Sequence, residues 1–167
     1  MKEFKDYLRE NRSVILEGWL KGIQEAYPGH LSSNLSKEKD RFSNPVTTTF
    51  KEGMELLYDG FLSGIGTDQL SAPLERMIEI RAVQDLSPSQ AVALLILLKK
   101  TVRQRIDEHP IKPIPAVSGW FEFEAWIDEI TLSAFDLYVR CRERIFEIRV
   151  DEIRKDRDRI RRLIERS

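Results

Sequence analysis

Apolar positions recur at helical spacing along nearly the whole chain, and no segment alternates with the two-residue period of a strand. Phe4, Leu8, Ile15, Trp19, Ile23 and Ala26 trace one stripe through a first helix. Tyr27-Pro28-Gly29 closes it, because proline and glycine continue a helix poorly. A polar stretch with caps at Ser33 and Ser36 has room for one or two turns. Asn44-Pro45 then opens a stronger element, with asparagine as N-cap and proline at the first helical position, where its missing N–H costs nothing. Phe50, Met54, Leu57, Tyr58 and Phe61 form its stripe up to Gly64 and Gly66.

Thr67-Asp68 opens a further helix that turns Leu70, Leu74, Met77 and Ile78 inward. Beyond it the chain reads RAVQDLSPSQAVALLILL from Arg81 to Leu98, a polar segment followed by the densest apolar run in the protein. Ser87-Pro88-Ser89-Gln90 has the form of a capping box, S-x-x-Q, with proline at the first helical position. The helix it starts should reach about Asp107 and, being apolar on nearly every side at first, should be covered by others. The three prolines of His109 to Val117 make a stiff extended connection. From about Gly119 onward there is no proline, and an unbroken helix of about 47 residues would be roughly 70 Å long. Such a helix must project from a domain of this size or pair with another. Phe146, Val150, Ile153, Arg157, Ile160 and Ile164 step by four and three, the spacing of a coiled-coil seam interrupted by one arginine. The expected architecture is therefore all-α, a single bundle of about six helices with a long projecting C-terminal helix. Residues 1–148 would form the domain and 149–167 a helical extension.

Composition narrows the function. The chain has 167 residues, enough for one well-buried core, with 27 basic and 28 acidic residues and a net charge of −1. A near-neutral chain exerts no general pull on nucleic acid or anionic lipid. The longest apolar run, Ala91 to Leu98, is far below the roughly 20 residues needed to span a bilayer. The N-terminus, MKEFKDYLRENRSV, carries charges where a secretion signal needs an apolar stretch. With the single cysteine Cys141 there can be no internal disulfide. A cytoplasmic protein is expected.

Three motifs carry a resemblance. R-F-x-N-P-V at Arg41 to Val46, R-A-V-Q-D-x-S-P-S-Q-A at Arg81 to Ala91, and F-D-x-Y-x-x-C-R-E-x-I at Phe135 to Ile145 resemble the N-terminal domain of RsbRD-type co-antagonists of the RsbT kinase. The likeness runs from about residue 5 to 155. It implies a sensory or regulatory input domain, akin to the globin-like, haem-free domain of RsbR proteins. In that family the domain precedes a phosphorylatable STAS domain, and this sequence stops where the STAS domain would begin. Stressosome assembly and phosphoregulation are therefore not carried over.

The residues offer few sets that could do chemistry. Arg81 continues the inward stripe of Leu70, Leu74 and Met77, so its guanidinium needs a partner; Asp85 and Asp136, the latter among Leu132, Phe135 and Val139, are the candidates for a structural ion pair. The alternative is a polar pocket for an anion or small effector, formed by Arg81, Gln84, Asp85, Ser87, Ser89, Gln90 and Asp136 at the amino end of the Ser87 helix. His30 and His109 lie in a turn and beside a proline, positions unsuited to haem or zinc, so no cofactor and no metal are expected. Cys141 follows Ala134 and Leu137 on a stripe and reads as a small buried side chain. A redox-sensing reading would need Arg140, Arg142 and Arg144 to depress its pKa. There is no phosphate-binding glycine loop and no Ser-His-Asp order.

The sequence thus points to a non-enzymatic sensory or regulatory module acting through protein–protein contacts, as a homodimer joined along the C-terminal seam. A small-molecule or anion-binding protein with its site near Arg81 to Gln90 is the competing reading. The signal and the protein partner are not legible in the sequence.

Overall fold

The computed structural model describes residues 2–26, 45–84, 86–110 and 116–165. Among them are six α-helices and one short 3-10 turn, with no strand: α1 Lys2–Glu10, α2 Arg12–Ala26, α3 Pro45–Ser63, the 3-10 turn Thr67–Leu70, α4 Ser71–Val83, α5 Pro88–Glu108 and α6 Ala116–Ile164. The all-α expectation and the long C-terminal helix both hold. The turns expected near Ser33 and Ser36 and the Asn44 cap lie outside the described residues, as does most of the proline-rich connection. Ala116 and Val117, expected at its end, already belong to α6.

The first stripe is split between two helices, contrary to the single helix its spacing suggests. At Asn11 the amide nitrogen still bonds the Tyr7 carbonyl at 3.1 Å, while the Asn11 side-chain amide donates to that same oxygen at 2.8 Å. Arg105 of α5 holds the other side of the amide, Nε to Oδ1 at 2.8 Å. The Asn11 side chain thus shares the Tyr7 carbonyl with its own backbone amide where α1 gives way to α2, and α5 supplies the partner that holds it there. The buried stripe ends at Ile23; Ala26 is exposed.

Gly64 ends α3. Its φ of +70° is a left-handed conformation that glycine adopts without a Cβ clash. The following amides close back, Ile65 to the Gly60 carbonyl at 2.9 Å and Gly64 to that of Phe61 at 3.1 Å, the pairing of a Schellman stop. Thr67-Asp68 opens the 3-10 turn rather than the α-helix itself: the Thr67 hydroxyl donates to Glu129 of α6 at 2.6 Å, and α4 follows from Ser71 with Leu70 preceding it.

Helix α6 packs on α4, α5 and α1, while α2 lies on α5 and α3 on α4. The core combines Trp19, Ile23, Leu57, Met77, Ile78, Leu94, Leu98, Ile127 and Ile130, all inaccessible to solvent. Rings gather at one end: Phe61 meets Phe123 edge-on with centroids 5.0 Å apart and lies 5.2 Å from Trp126. The apolar start of α5 follows from its central place, with Ala91, Leu94, Leu95 and Leu98 fully buried between neighbours. Arg12 of α2 grips Asp59 of α3 with two 2.8 Å bonds, fixing α2 beside α3 at the surface.

The 49 residues of α6 give a rod of about 74 Å at 1.5 Å per residue. A compact chain of 148 residues has a radius of gyration of only about 15 Å. The helix runs without a break through residue 148, but its surroundings change: Cys141 is the last buried position, Ile145 and Val150 are half-buried, and every residue from 151 to 165 is exposed.

Candidate functional site

The hinge between α4 and α5 is where the polar candidates meet. Ser87 caps α5 as its motif predicts: its hydroxyl accepts from the Gln90 amide at 3.3 Å, and the Gln90 side-chain oxygen accepts from the Ser87 amide at 2.9 Å. The Ala91 amide bonds the Ser87 carbonyl at 2.9 Å, and Pro88 has no N–H to offer. The box therefore occupies the Gln90 amide, one of the first-turn donors that an anion at this helix end would use. Ser87 and Ser89 hydroxyls lie 3.2 Å apart at the exposed rim.

Arg81 is completely buried, as its place on the stripe requires. Its Nη2 donates to the carbonyl oxygen of Gln90 at 3.2 Å, so α4 is bonded directly to the first turn of α5. Gln84 is the residue that ends α4, its amide returning to the Ile80 carbonyl at 3.3 Å. Asp85 lies outside the described residues. Asp136 is not a buried partner for Arg81: it is exposed, on the face of α6 that also carries the exposed Leu132, Phe135 and Val139. That face looked like core because its residues are apolar. The buried face of α6 is the one through Ile127, Ile130, Ala134, Leu137, Tyr138 and Cys141.

Two residues of α6 that the sequence did not place at the hinge, Arg142 having been considered only as a neighbour of Cys141, complete the site. Tyr138 is buried and donates its hydroxyl to the carbonyl oxygen of Leu86, in the hinge. Arg142, one turn on, donates from Nη1 to the carbonyl oxygen of Ala82 at 3.2 Å. Arg144 adds an exposed pair with Glu79 of α4 at 3.6 Å. An open groove of about 610 Å³ runs beside these contacts, lined by Ser87, Pro88, Gln90, Tyr138, Arg142 and Glu143 among others. Both residues were in view as letters of the third motif, F-D-x-Y-x-x-C-R-E-x-I. The signal that would have found them is a pairing of the second and third motifs in space, which one sequence does not contain.

Cys141 belongs to the same turn but points into the core. Burial is the main influence on its thiol and pushes the pKa up, Glu79 adds to this, and Arg144 opposes it more weakly. The arginines around it do not produce the depressed pKa that a redox-sensing thiolate needs. His109 is exposed at the end of α5, where its carbonyl accepts from the Tyr7 hydroxyl at 3.1 Å; His30 lies outside the described residues. Among the described residues no three His, Cys, Asp or Glu side chains gather as a metal site.

In the seam, Phe146, Ile153, Ile160 and Ile164 are between 57 and 71 % exposed, Val150 is half-buried and Arg157 is exposed. These positions therefore have no cover within the described part of the chain. No helix among the described residues is long and apolar enough to cross a membrane.

These features define an all-α domain whose longest helix is bonded to an internal hinge and then leaves the core. The family model of the RsbT co-antagonist protein RsbRD N-terminal domain matches residues 13–153, and the chain belongs to that family. It is thereby one of a family of regulatory domains of stress signalling. The searches of curated proteins and of solved structures gave no match.

Proposed function

We propose that this protein is a non-enzymatic, cytoplasmic input module that works through protein–protein contacts, with α6 as the element that carries its state outward. The observation that supports this most is the division of α6 into two environments along one unbroken helix. Its first part supplies Phe123, Ile127, Ile130 and Ala134 to the core, and its last part presents Ile153, Ile160 and Ile164 to solvent. A rigid rod anchored in a core transmits a rotation or shift of its base to its far end. Exposed apolar residues at heptad spacing are what a second helix would cover.

The partner helix in this reading is that of a second copy, giving a homodimer along Phe146, Val150, Ile153, Arg157, Ile160 and Ile164. Arg157 at a seam position weakens such a pair and fixes its register. Truncation after Ile148, followed by light scattering on the purified chain and by affinity capture from source-cell extract, tests the proposal. The shortened chain should become monomeric and lose captured partners. A truncated chain that stays dimeric and keeps every partner overturns it.

A small molecule at the hinge is the second reading, favoured by the groove beside Gln90, Tyr138 and Arg142. There it would act as the input to the same helix. Native mass spectrometry of freshly purified protein should show a mass above that of the chain, and release of that ligand at higher collision energy would identify it.

A further inference from the structure

We propose that Tyr138 and Arg142 form a two-point coupling that makes the position of the α4–α5 hinge and that of α6 interdependent. The inference rests on the regulatory reading for its use, and on the hinge geometry for its chemistry. A break between two helices leaves carbonyls in the last turn of the first helix, and in the link that follows it, without the i+4 partners of a helical ladder. Here the oxygens of Ala82 and Leu86 accept from side chains of α6. Tyr138 and Arg142 are four residues apart, hence one above the other on a single face of that helix.

The two bonds differ in how easily water could replace them. Tyr138 is 4 % exposed and Leu86 is likewise 4 % exposed, so in this arrangement neither group is in contact with bulk water although the groove lies beside them. A hinge displacement that α6 does not follow leaves a buried hydroxyl and a buried carbonyl unsatisfied, which is costly out of proportion to the bond itself. Arg142 is half-buried at the edge of the groove and steers the same carbonyl turn from its outer side. On the other side of the hinge, Arg81 fastens α4 to Gln90, so the first turn of α5 moves with the end of α4. The hinge is thus one bonded unit, held by α6 at two points. Beyond Arg142 the helix continues without a break to the exposed seam, which would carry the displacement outward.

The sequence is consistent with this role. The two motifs within the described residues that set the chain apart, around Arg81 to Ala91 and Phe135 to Ile145, are the two that face each other here.

Reciprocity provides the test, because a coupling between two places must be felt from either end. Hydrogen exchange followed by mass spectrometry on the full chain reads both. Tyr138→Phe removes one hydroxyl and should raise the opening of residues 82–92 by about tenfold. Ser87→Ala, which disrupts the capping box while leaving the Tyr138 and Arg142 side chains unchanged, should raise exchange in residues 134–146 several-fold. Residues 12–26 of α2 should keep wild-type protection in both variants. The proposal is overturned when the effect of Ser87→Ala stays within the first turn of α5. It is equally overturned when Tyr138→Phe loosens α2 as much as the hinge, which is general destabilisation. Should Tyr138→Phe fail to fold, Arg142→Gln carries the same measurement, since its half-buried side chain can be shortened without opening the core. Loss of exchange coupling with partners still captured sinks the coupling alone; coupling intact with no partner captured sinks the regulatory use alone.

Discussion

Arg81, the only charged side chain among the described residues that is fully buried, donates to the carbonyl oxygen of Gln90 across the α4–α5 hinge at 3.2 Å. An arginine is suited to this place because its long stem packs in the α4 stripe while its planar head presents several donors to fixed acceptors. Arg81→Met keeps most of the packing and loses the donors, and should destabilise the fold by about 2 kcal/mol. Arg81→Ala opens a cavity as well and should cost about 4 kcal/mol. Urea unfolding followed by circular dichroism would rank the two, and equal losses would mean that packing contributes nothing beyond the bonds.

Gly119 is a place where backbone meets side chain. A Cβ added there would stand 2.4 Å from the Cβ of Phe4, so α6 and α1 would have to separate. Gly119→Ala should therefore destabilise by about 2 kcal/mol through overpacking. Gly66 is the control: its backbone is extended at φ −64° and ψ 150°, and nothing lies within 4 Å of an added Cβ. Gly66→Ala should be neutral or stabilise by roughly 0.5 kcal/mol, because it reduces the freedom of the unfolded chain. Thermal melts of the two variants should move in opposite directions or differ by several degrees.

Tyr58 makes stability depend on alkaline pH. Its hydroxyl donates to the Leu8 carbonyl at 2.9 Å, and burial holds its pKa well above the ordinary phenol value. Above about pH 10 the unfolded chain releases this proton while the folded chain keeps it, so stability falls as pH rises from there. Tyr58→Phe should lower stability by about 1 kcal/mol at neutral pH, by loss of the hydrogen bond. The same variant should show a shallower decline above pH 10. Identical slopes in the two proteins would mean that another group controls the alkaline limb.

Burial that raises the Cys141 pKa makes its thiol slow to react. Under native conditions near neutral pH it should label at least roughly tenfold more slowly than the same chain in denaturant, as expected of an inaccessible thiol. Rapid native labelling would place the thiol in an open, charged surrounding and return it to the redox candidates.

Much of the fold was legible in local patterns. The stripe Phe50, Met54, Leu57, Tyr58 and Phe61, the Gly64 stop and the Ser87–Gln90 capping box depend on residues within a few positions of one another, and each formed as its spacing implies. The division of the first stripe at Asn11 was not legible, because the partner of its side chain is Arg105, 94 residues away. For the same reason the bond from Thr67 to Glu129 was not legible, although Thr67-Asp68 does open a helical element, the 3-10 turn that leads into α4.

What the sequence determined by itself is the all-α class, most of the helices and their stops, the buried place of Arg81 and the family. Those follow from periodicity, capping chemistry and motifs, all of which are read along one dimension. Only the tertiary structure decided which face of α6 is covered. Leu132, Phe135 and Val139 are as apolar as Ile130, Ala134 and Leu137, and hydrophobicity alone does not say which row meets α4 and α5. That choice sent Asp136 to solvent and brought Tyr138 and Arg142 to the hinge carbonyls, because a backbone oxygen freed at a helix end is captured by whichever donor the packing brings within reach.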